Sequence, residues 1–217
     1  MNFRDICSKP GHHQLLIQGP ETMIEVAVSI PECAKIEKFA VVGHPHPLQE
    51  GTMNNKVVTT TAKTIYQMDY PVIRFNFRGV GQSGGEFAQG IGETDDMVFL
   101  IELWQKAYPG SQCILAGFSF GSYVAFRVAQ RVKPLCLILI APPVKRFPYD
   151  LQDAMFRPTV IFQGDSDELI TMDEVQSFAN SFSPAVPMEC FEKTGHFFHG
   201  KLIDLRECVL KWVAACH

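Results

Sequence analysis

The sequence predicts an α/β protein with a mostly parallel sheet of about eight strands and helices on both faces. Short apolar runs, which are typical of buried strands, alternate with helix-length amphipathic segments from residue 38 to the end. No repeat, low-complexity tract or linker interrupts this alternation. A chain of 217 residues with 47% hydrophobic content can form one core. We therefore expect a single domain over residues 1–217.

The N-terminal region is predicted to add an antiparallel pair of strands at one edge of the sheet. Its two segments are HQLLIQG (13–19) and TMIEVAVSI (22–30), and the turn signals Gly19 and Pro20 lie at their junction. The second segment alternates apolar and polar side chains, as a half-buried hairpin strand does.

From residue 38 onward, strands and helices are predicted to alternate as β-α-β units. The predicted strands are KFAVVGH (38–44), PVIRFNFRG (71–79), CILAGFS (113–119), LCLILIA (135–141), PTVIFQG (158–164) and PMECFEK (187–193). The predicted helices are GTMNNKVVTTTAKTIYQM (51–68), GETDDMVFLIELWQKAYP (92–109), SYVAFRVAQRV (122–132), MDEVQSFANSF (172–182) and KLIDLRECVLKWVAA (201–215). Thr94 or Asp95 is the expected N-cap of the second helix. Residues 142–157 leave room for a loop and one or two helical turns, so no cap domain is expected.

Composition and charge exclude several classes of protein. The formal net charge is −4 and no lysine or arginine block occurs, which argues against a nucleic-acid partner. The N-terminus lacks a secretory signal, and the longest apolar run, residues 135–141, is too short to cross a membrane. Seven scattered cysteines without a C-x-x-C pair indicate buried thiols in a reducing compartment. A cytoplasmic protein without disulfides or a zinc site is expected.

The segment CILAGFSFG predicts a strand that ends in a tight turn, and a helix follows directly. This is the G-x-S-x-G arrangement, in which the serine projects from the edge of the sheet. Gly117 and Gly121 are required because a Cβ at either position would collide with a neighbouring element. Ser119 is therefore the candidate nucleophile. The alternative is a glycine- and serine-containing turn without chemistry.

Two further candidates follow later strands of the predicted sheet. Asp165 and Asp167 come after VIFQG, and His196 follows the last strand, so the chain order is serine, acid, histidine. A serine hydroxyl needs a neighbouring base to become a nucleophile, and that imidazole needs a carboxylate to fix its tautomer. These three groups meet at the carboxyl edge of a parallel sheet.

From about His12 to the C-terminus the sequence resembles the α/β-hydrolase superfamily, close to its small, lidless members similar to dienelactone hydrolases. The resemblance rests on HPHPLQEGTMNNKVV (44–58), FNFRGVGQSGGEF (75–87), GFSFGSYVA (117–125), and the late segments GDSDELI and GHFFHGK. It implies a catalytic triad of Ser119, Asp167 and His196. Similar enzymes place the acid at the second aspartate of G-D-x-D, which favours Asp167 over Asp165.

Acyl transfer also needs two donors for the developing oxyanion. One expected donor is the backbone N–H of Phe120, at the start of the helix after the nucleophile. The other is expected from the HPHPL loop. Pro45 and Pro47 have no N–H, so the donor is His46 or Leu48, and we favour His46. Leu48, Phe147, Tyr149 and Phe197 are further expected to line the substrate site.

Two motifs, the histidine pair of HPHP and the glycines of residues 79–84, allow another interpretation. His44 and His46 are spaced as a possible metal-binding pair, but no carboxylate triplet or H-E-x-x-H motif supplies the remaining ligands. Residues 79–84 spell G-x-G-x-x-G, yet no helix opens within that motif as a dinucleotide site requires. No metal and no cofactor are therefore expected, and Arg78 is interpreted as an anchor of this loop.

The sequence therefore predicts a serine hydrolase that cleaves a carboxylic ester or thioester of a small or exposed acyl group through an acyl-serine intermediate. The expected partner is a small-molecule ester, with no nucleic acid and no membrane. Two alternatives stay open: a non-catalytic binding or scaffold protein on a hydrolase fold, and an acyltransferase or perhydrolase with the same triad. The oligomeric state and the natural substrate do not follow from the sequence.

Overall fold

The computed structural model describes residues 3–149 and 158–216. Its strands are β1 (Gly11–Gln18), β2 (Met23–Ile30), β3 (Lys38–Gly43), β4 (Val72–Phe75), β5 (Gln112–Phe118), β6 (Cys136–Ile140), β7 (Thr159–Gly164) and β8 (Met188–Phe191). Its α-helices are α1 (Phe3–Cys7), α2 (Lys56–Tyr66), α3 (Ile91–Ala107), α4 (Phe120–Val132), α5 (Met172–Asn180) and α6 (Leu202–Ala215). A short 3₁₀ turn covers Pro47–Gln49.

The eight strands form one sheet in the order β1-β2-β4-β3-β5-β6-β7-β8. All neighbours from β4 to β8 are parallel, whereas β1 and β2, and β2 and β4, are antiparallel. Gly11 lies opposite Ile30 and Gln18 opposite Met23 in the N-terminal hairpin. The predicted fold class is confirmed, including the antiparallel edge.

Helices cover both faces of this sheet. Helix α2 packs against α6, and α3 packs against α4. Strands β6 and β7 are buried along their whole length, while the edge strand β1 alternates half-buried and exposed residues. This difference explains why the central strands appear in the sequence as continuous apolar runs. None of the described helices is long and apolar enough to span a membrane.

The start of helix α3 differs from the prediction. Its N-cap is Gly90, in a left-handed conformation with φ 89°, and not Thr94 or Asp95. The carboxylate of Glu93 reaches back and accepts hydrogen bonds from the N–H groups of Ala88 and Gly90, both at 2.8 Å. The helix begins earlier than predicted because Gly90 can adopt the left-handed conformation at the N-cap and Glu93, the third helical residue, satisfies the N–H groups of Gly90 and Ala88.

The connection between β6 and β7 is too short for a cap domain, as the sequence predicts. Strand β6 ends at Ile140 and β7 begins at Thr159. Residues 141–149 contain neither helix nor strand. The helical turns predicted within residues 142–157 fall partly on 150–157, outside the described residues.

Candidate active site

The turn after β5 holds Ser119 in a strained conformation. Its φ is 52° and its ψ is −121°, and Phe120 is already the first residue of α4. A Cβ on Gly117 would lie 2.1 Å from the carbonyl oxygen of Gly121. A Cβ on Gly121 would lie 2.5 Å from the carbonyl of Gly43 in β3. Both glycines are therefore required for β3, β5 and α4 to approach this closely.

Three predicted site residues meet at the carboxyl edge of the sheet. The Nε2 atom of His196 lies 3.1 Å from the Oγ atom of Ser119, and its Nδ1 atom lies 2.8 Å from Oδ2 of Asp167. His196 is 2% exposed and Asp167 is 8% exposed, whereas Ser119 is half-buried. The arrangement forms a continuous chain of hydrogen bonds from an accessible hydroxyl to a buried carboxylate.

Asp165 has a different environment. Its side chain is exposed, and Oδ1 accepts hydrogen bonds from the hydroxyl of Ser166 and the N–H of Thr194. These contacts stabilise the turn between β7 and α5. Of the two aspartates considered, only Asp167 hydrogen-bonds to the imidazole.

Four hydrogen bonds hold the carboxylate of Asp167. Oδ1 accepts from the N–H groups of Leu169 and Ile170, both at 2.9 Å, and Oδ2 accepts from Gln163 Nε2 at 3.1 Å as well as from His196. Burial opposes the ionisation of Asp167, but these bonds outweigh it and the pKa of the carboxyl lies below its ordinary value. An ionised Asp167 requires the proton of His196 on Nδ1, which leaves Nε2 to accept from Ser119.

Sequence reasoning missed Gln163. Its side chain is fully buried, and Nε2 also donates to the carbonyl of Ile170 at 3.1 Å, which fixes the loop that carries Asp167. The available signal was its position, because it is the single amide in the apolar run PTVIFQG.

The sequence predicts two backbone N–H groups, those of Phe120 and His46, as oxyanion donors. Neither the N–H of Phe120 nor that of His46 donates to an acceptor among the described residues. The N–H of Leu48, in contrast, donates to Nδ1 of His46 at 3.2 Å. The ring centroids of His46 and Phe120 lie 5.2 Å apart, so the two residues that carry these N–H groups are in contact.

His44 has a structural environment. Its Nδ1 atom donates to the carbonyl of Pro45 at 2.7 Å, and its Nε2 atom accepts from the N–H of Phe77 at 2.9 Å. Burial lowers its pKa to about 4, so the ring is neutral near pH 7. With both ring nitrogens engaged, His44 has no lone pair for a metal. Among the described residues, no group of three or more His, Cys, Asp or Glu side chains is arranged to hold a metal ion.

The G-x-G-x-x-G segment forms a loop closed by its own chain. Five of its backbone N–H groups donate to acceptors within the protein, and they belong to Gly79, Val80, Gln82, Ser83 and Gly84. Arg78 anchors the loop through a bidentate pair with Asp96, at 2.9 Å, and a contact with Glu21 at 2.8 Å. These hydrogen bonds to Asp96 raise the pKa of Arg78. The loop therefore serves structure, as the sequence interpretation of Arg78 expects.

The four residues predicted to line the site have different environments. Phe147 stacks on Tyr123, with centroids 4.8 Å apart, and lines a cavity beside His46. Phe197 is 41% exposed and its ring lies 5.1 Å from that of His196. Of the four, all of which the structure describes, Phe147 alone lines this cavity.

Leu48 and Tyr149 do not line this cavity. Leu48 is 73% exposed because the 3₁₀ turn directs its side chain outward. Tyr149 packs among aromatic rings of α4 and α5, and its hydroxyl lies 3.3 Å from the Oγ of Ser122. These contacts hold Tyr149 against the packed helices.

Comparisons with known proteins agree with this fold. Residues 54–157 match a family model described as serine aminopeptidase. An uncharacterised protein of Rickettsia prowazekii is 34% identical over 206 residues, which cover 90% of this chain and 86% of that protein. A crystal structure of a lidless α/β serine hydrolase from Xanthomonas campestris is 37% identical, covers 95% of both chains and superposes with a TM-score of 0.89.

A further structure, an α/β serine hydrolase homologue from Coxiella burnetii, is 40% identical and covers 92% of this chain and 96% of that one, with a TM-score of 0.87. The Rickettsia protein and the two structures match nearly the whole chain. The protein thus belongs to the α/β-hydrolase superfamily and is similar to its serine hydrolases without a lid.

Proposed function

We propose that this protein is a serine esterase, which cleaves a carboxylic ester or thioester of a small or exposed acyl group through an acyl-serine intermediate. One observation carries the proposal, namely the chain of hydrogen bonds from Ser119 through His196 to Asp167, with distances of 3.1 and 2.8 Å. Hydrogen bonds of these lengths are what a general base needs to activate a hydroxyl.

In the first half-reaction, Nε2 of His196 takes the proton of Ser119 as Oγ attacks the carbonyl carbon. The N–H groups of Phe120 and His46 are proposed to donate to the resulting oxyanion, and the N-terminus of α4 adds positive potential there. His196 then gives its proton to the leaving alcohol or thiol, and the acyl group remains on Ser119.

In the second half-reaction, His196 accepts a proton from water as the water attacks the acyl carbon. The proton returns to Oγ as the acid leaves. Throughout, the ionised Asp167 stabilises the positive imidazolium and holds its orientation. The same residues can cleave an amide, and the matching family model is described as serine aminopeptidase, so amides belong in the substrate panel.

The proposed substrates are small molecules of a reducing compartment such as the cytoplasm. All seven cysteines are free thiols, which fits that compartment. No capping element covers Ser119 among the described residues, which fits an exposed acyl group better than a long enclosed one.

The proposal is tested by labelling the purified protein with a fluorophosphonate probe and locating the adduct by mass spectrometry. We expect the adduct on Ser119 and its loss in Asp167→Asn and His196→Ala, with Asp165→Asn as the matched control that retains labelling. A folded protein without an adduct on Ser119 would contradict the proposal.

Hydrolysis of 4-nitrophenyl acetate, an acetyl thioester and an aminoacyl 4-nitroanilide then identifies the bond that is cleaved. We expect turnover of the two esters. Cleavage of the anilide alone would replace the esterase assignment with an aminopeptidase one.

A further inference from the structure

A cavity of about 420 Å³ opens beside His46. Its walls combine aromatic rings with two cationic side chains, and the residues that matter here are His46, Phe87, Tyr123, Arg127, Arg146 and Phe147. The ring of Phe120, the residue that follows the candidate nucleophile, contacts His46, Phe87 and Phe147, with centroids 5.2, 5.4 and 5.1 Å away. The cavity is therefore next to the proposed oxyanion donors.

Arg127 extends into this cavity from helix α4, two turns after Ser119. Its guanidinium has only neutral partners: Nε lies 3.3 Å from Oγ1 of Thr94, and Nη1 lies 3.3 Å from the hydroxyl of Tyr123. The group also lies over the Tyr123 ring, 5.6 Å from its centroid. Nη2 has no hydrogen-bond acceptor among the described residues. The guanidinium of Arg127 therefore keeps its charge and part of its donor capacity for a ligand in the cavity.

Arg146 contributes a second cation from the loop after β6. Its side chain is exposed and makes no ion pair and no hydrogen bond within the part of the chain that the structure describes. Arg78 and Arg131 differ, since Arg78 pairs with Asp96 and Arg131 with Asp95. Arg74 also bonds to neutral groups, Met53 and Asn54, but it lies outside this cavity.

Charges of both signs act on His46 at this cavity. Burial lowers the pKa of His46, Glu93 opposes this shift, and the charge of Arg146 adds to it. Both carboxylate oxygens of Glu93 already accept backbone hydrogen bonds, from Ala88 and Gly90. Among the described residues, Glu93 makes no ion pair with Arg127 or Arg146, and the imidazole of His46 is neutral near pH 7.

We infer that this cavity is a subsite for a carboxylate or phosphate group of the substrate, so that the ester cleaved at Ser119 is an anionic one. The inference rests on the proposed esterase function. Because His46 supplies both a wall of the cavity and a proposed oxyanion donor, an anion held by Arg127 and Arg146 belongs to the same molecule as the carbonyl at Ser119. A volume of about 420 Å³ accommodates a short carbon chain that ends in the anionic group.

The physical reason for this preference is the low polarity of the aromatic walls. Guanidinium groups donate paired hydrogen bonds to carboxylate and phosphate oxygens, and these are stronger than bonds between neutral groups. The rings of Phe87, Tyr123 and Phe147 reduce the screening of these charges by water. A neutral group of the same size would leave the two cations without a partner.

The test compares two esters of equal length, mono-4-nitrophenyl glutarate and its methyl-capped, neutral form. We expect kcat/KM to favour the anionic ester, and the ratio of the two kcat/KM values to fall roughly tenfold in each of Arg127→Gln and Arg146→Gln. The ratio is the readout, so a general loss of activity cancels. Arg127→Lys keeps the charge and is expected to retain part of the preference.

Arg131→Gln is the matched control, because this arginine lies on the same helix but is paired with Asp95 outside the cavity. We expect it to leave the ratio unchanged. A ratio of one or less in the wild-type protein, or a ratio unaffected by both cavity substitutions, overturns the subsite. If both esters are cleaved through Ser119 with such a flat ratio, the esterase function stands and only the subsite is wrong.

The proposed function fails if neither ester is cleaved and no probe labels Ser119. A second measurement then still tests the anion subsite. The Tm is then measured with glutarate and, separately, with inorganic phosphate. A rise in Tm in the wild-type protein that is absent from the Arg127→Gln/Arg146→Gln double variant supports the anion subsite, and the more effective ligand identifies the group. No rise with either ligand overturns it.

Discussion

Two turns of this protein contain glycines and a serine after a strand, yet they differ in what the serine does. After β5, the hydroxyl of Ser119 lies 3.1 Å from Nε2 of His196. In the loop after β4, the hydroxyl of Ser83 donates to the carbonyl of Asn76 at 2.7 Å and accepts from the N–H of Glu25 at 2.9 Å. One serine is available to react, and the other is fully engaged in holding the loop on β2.

The element that follows each turn accounts for this difference. After β5, α4 begins at once with Phe120, so the first N–H groups of the helix have no partner within the helix and the serine projects from the sheet edge. After β4, the chain continues as a loop until α3 begins at Ile91. Its buried backbone groups must find partners within the loop or in β2, and they do. Glycine and serine alone therefore do not define a reactive turn.

Substitution of the two serines should separate their roles most clearly. We expect Ser119→Ala to lower kcat by on the order of 10⁴- to 10⁶-fold with little change in Tm, because the nucleophile is removed without loss of packing. Ser83→Ala should instead lower the free energy of unfolding by about 1–3 kcal/mol, since a buried acceptor and a buried donor lose their partner. Steady-state kinetics and urea unfolding measure the two effects. Loss of stability in Ser119→Ala together with retained turnover would reverse the comparison.

The two aspartates after β7 offer a similar test of what supports the reactive turn. Asp167→Asn should reduce kcat roughly 10³- to 10⁴-fold, because the amide cannot hold the imidazole tautomer that accepts from Ser119. Asp165→Asn should retain most of the activity, since Asp165 is exposed and bonds only to neighbouring loop residues. Equal losses in both variants would show that the hydrogen bond from His196 to Asp167 does not orient the base.

Removal of the loop anchor should affect stability. Arg78→Gln leaves Asp96, whose side chain is 1% exposed, without its ion-pair partner, and we expect a loss of about 3–5 kcal/mol in the free energy of unfolding. The control Arg131→Gln breaks an exposed pair with Asp95 and should cost about 0–1 kcal/mol. Urea unfolding compares the two variants. A loss in Arg78→Gln no larger than in the control would contradict an anchoring role.

The last prediction concerns the pH dependence of stability and His44, whose ring accepts a hydrogen bond from the N–H of Phe77 in the loop after β4. Burial lowers its folded-state pKa to about 4 from an ordinary value of 6.5. Between these values the unfolded chain binds a proton that the folded protein does not, so the free energy of unfolding decreases as the pH is lowered from 6.5 to about 4. The decrease from this residue amounts to roughly 3 kcal/mol at most.

Urea unfolding at several pH values measures this slope, and His44→Gln should flatten it, since a glutamine oxygen can accept from Phe77 without titrating. The NMR titration of the His44 ring provides an independent measurement. A ring that is protonated at pH 5 in the folded protein would contradict the prediction.

The sequence was informative wherever a local pattern has one physical solution. Continuous apolar runs such as LCLILIA require a strand buried on both faces, and the alternation in residues 22–30 requires a half-buried edge. The pairing of Ser119 with a later acid and histidine follows from the order of strands in a parallel sheet. The resemblance to known hydrolases favoured Asp167 over Asp165, which spacing alone left open.

Contacts between segments that are distant in the sequence were harder to predict. The cap of α3 depends on a glutamate that reaches back to Gly90. The exposure of Leu48 depends on its place in the 3₁₀ turn Pro47–Gln49. Gln163 supports Asp167 only because β7 and the following loop fold against each other. The sequence shows the residues involved, such as the single amide in PTVIFQG, but it does not show which partners they reach.

The sequence by itself thus determined the α/β fold, the reactive turn and the three residues proposed as a triad, because hydrophobic periodicity, glycine sterics and strand order act locally or follow from the topology of a parallel sheet. Only the tertiary structure decided which ring nitrogens, amides and guanidiniums are already engaged. The availability of the N–H of His46 and the unpaired charges of Arg127 and Arg146 depend on which partners lie within hydrogen-bond distance, and that is a property of the packed chain in three dimensions.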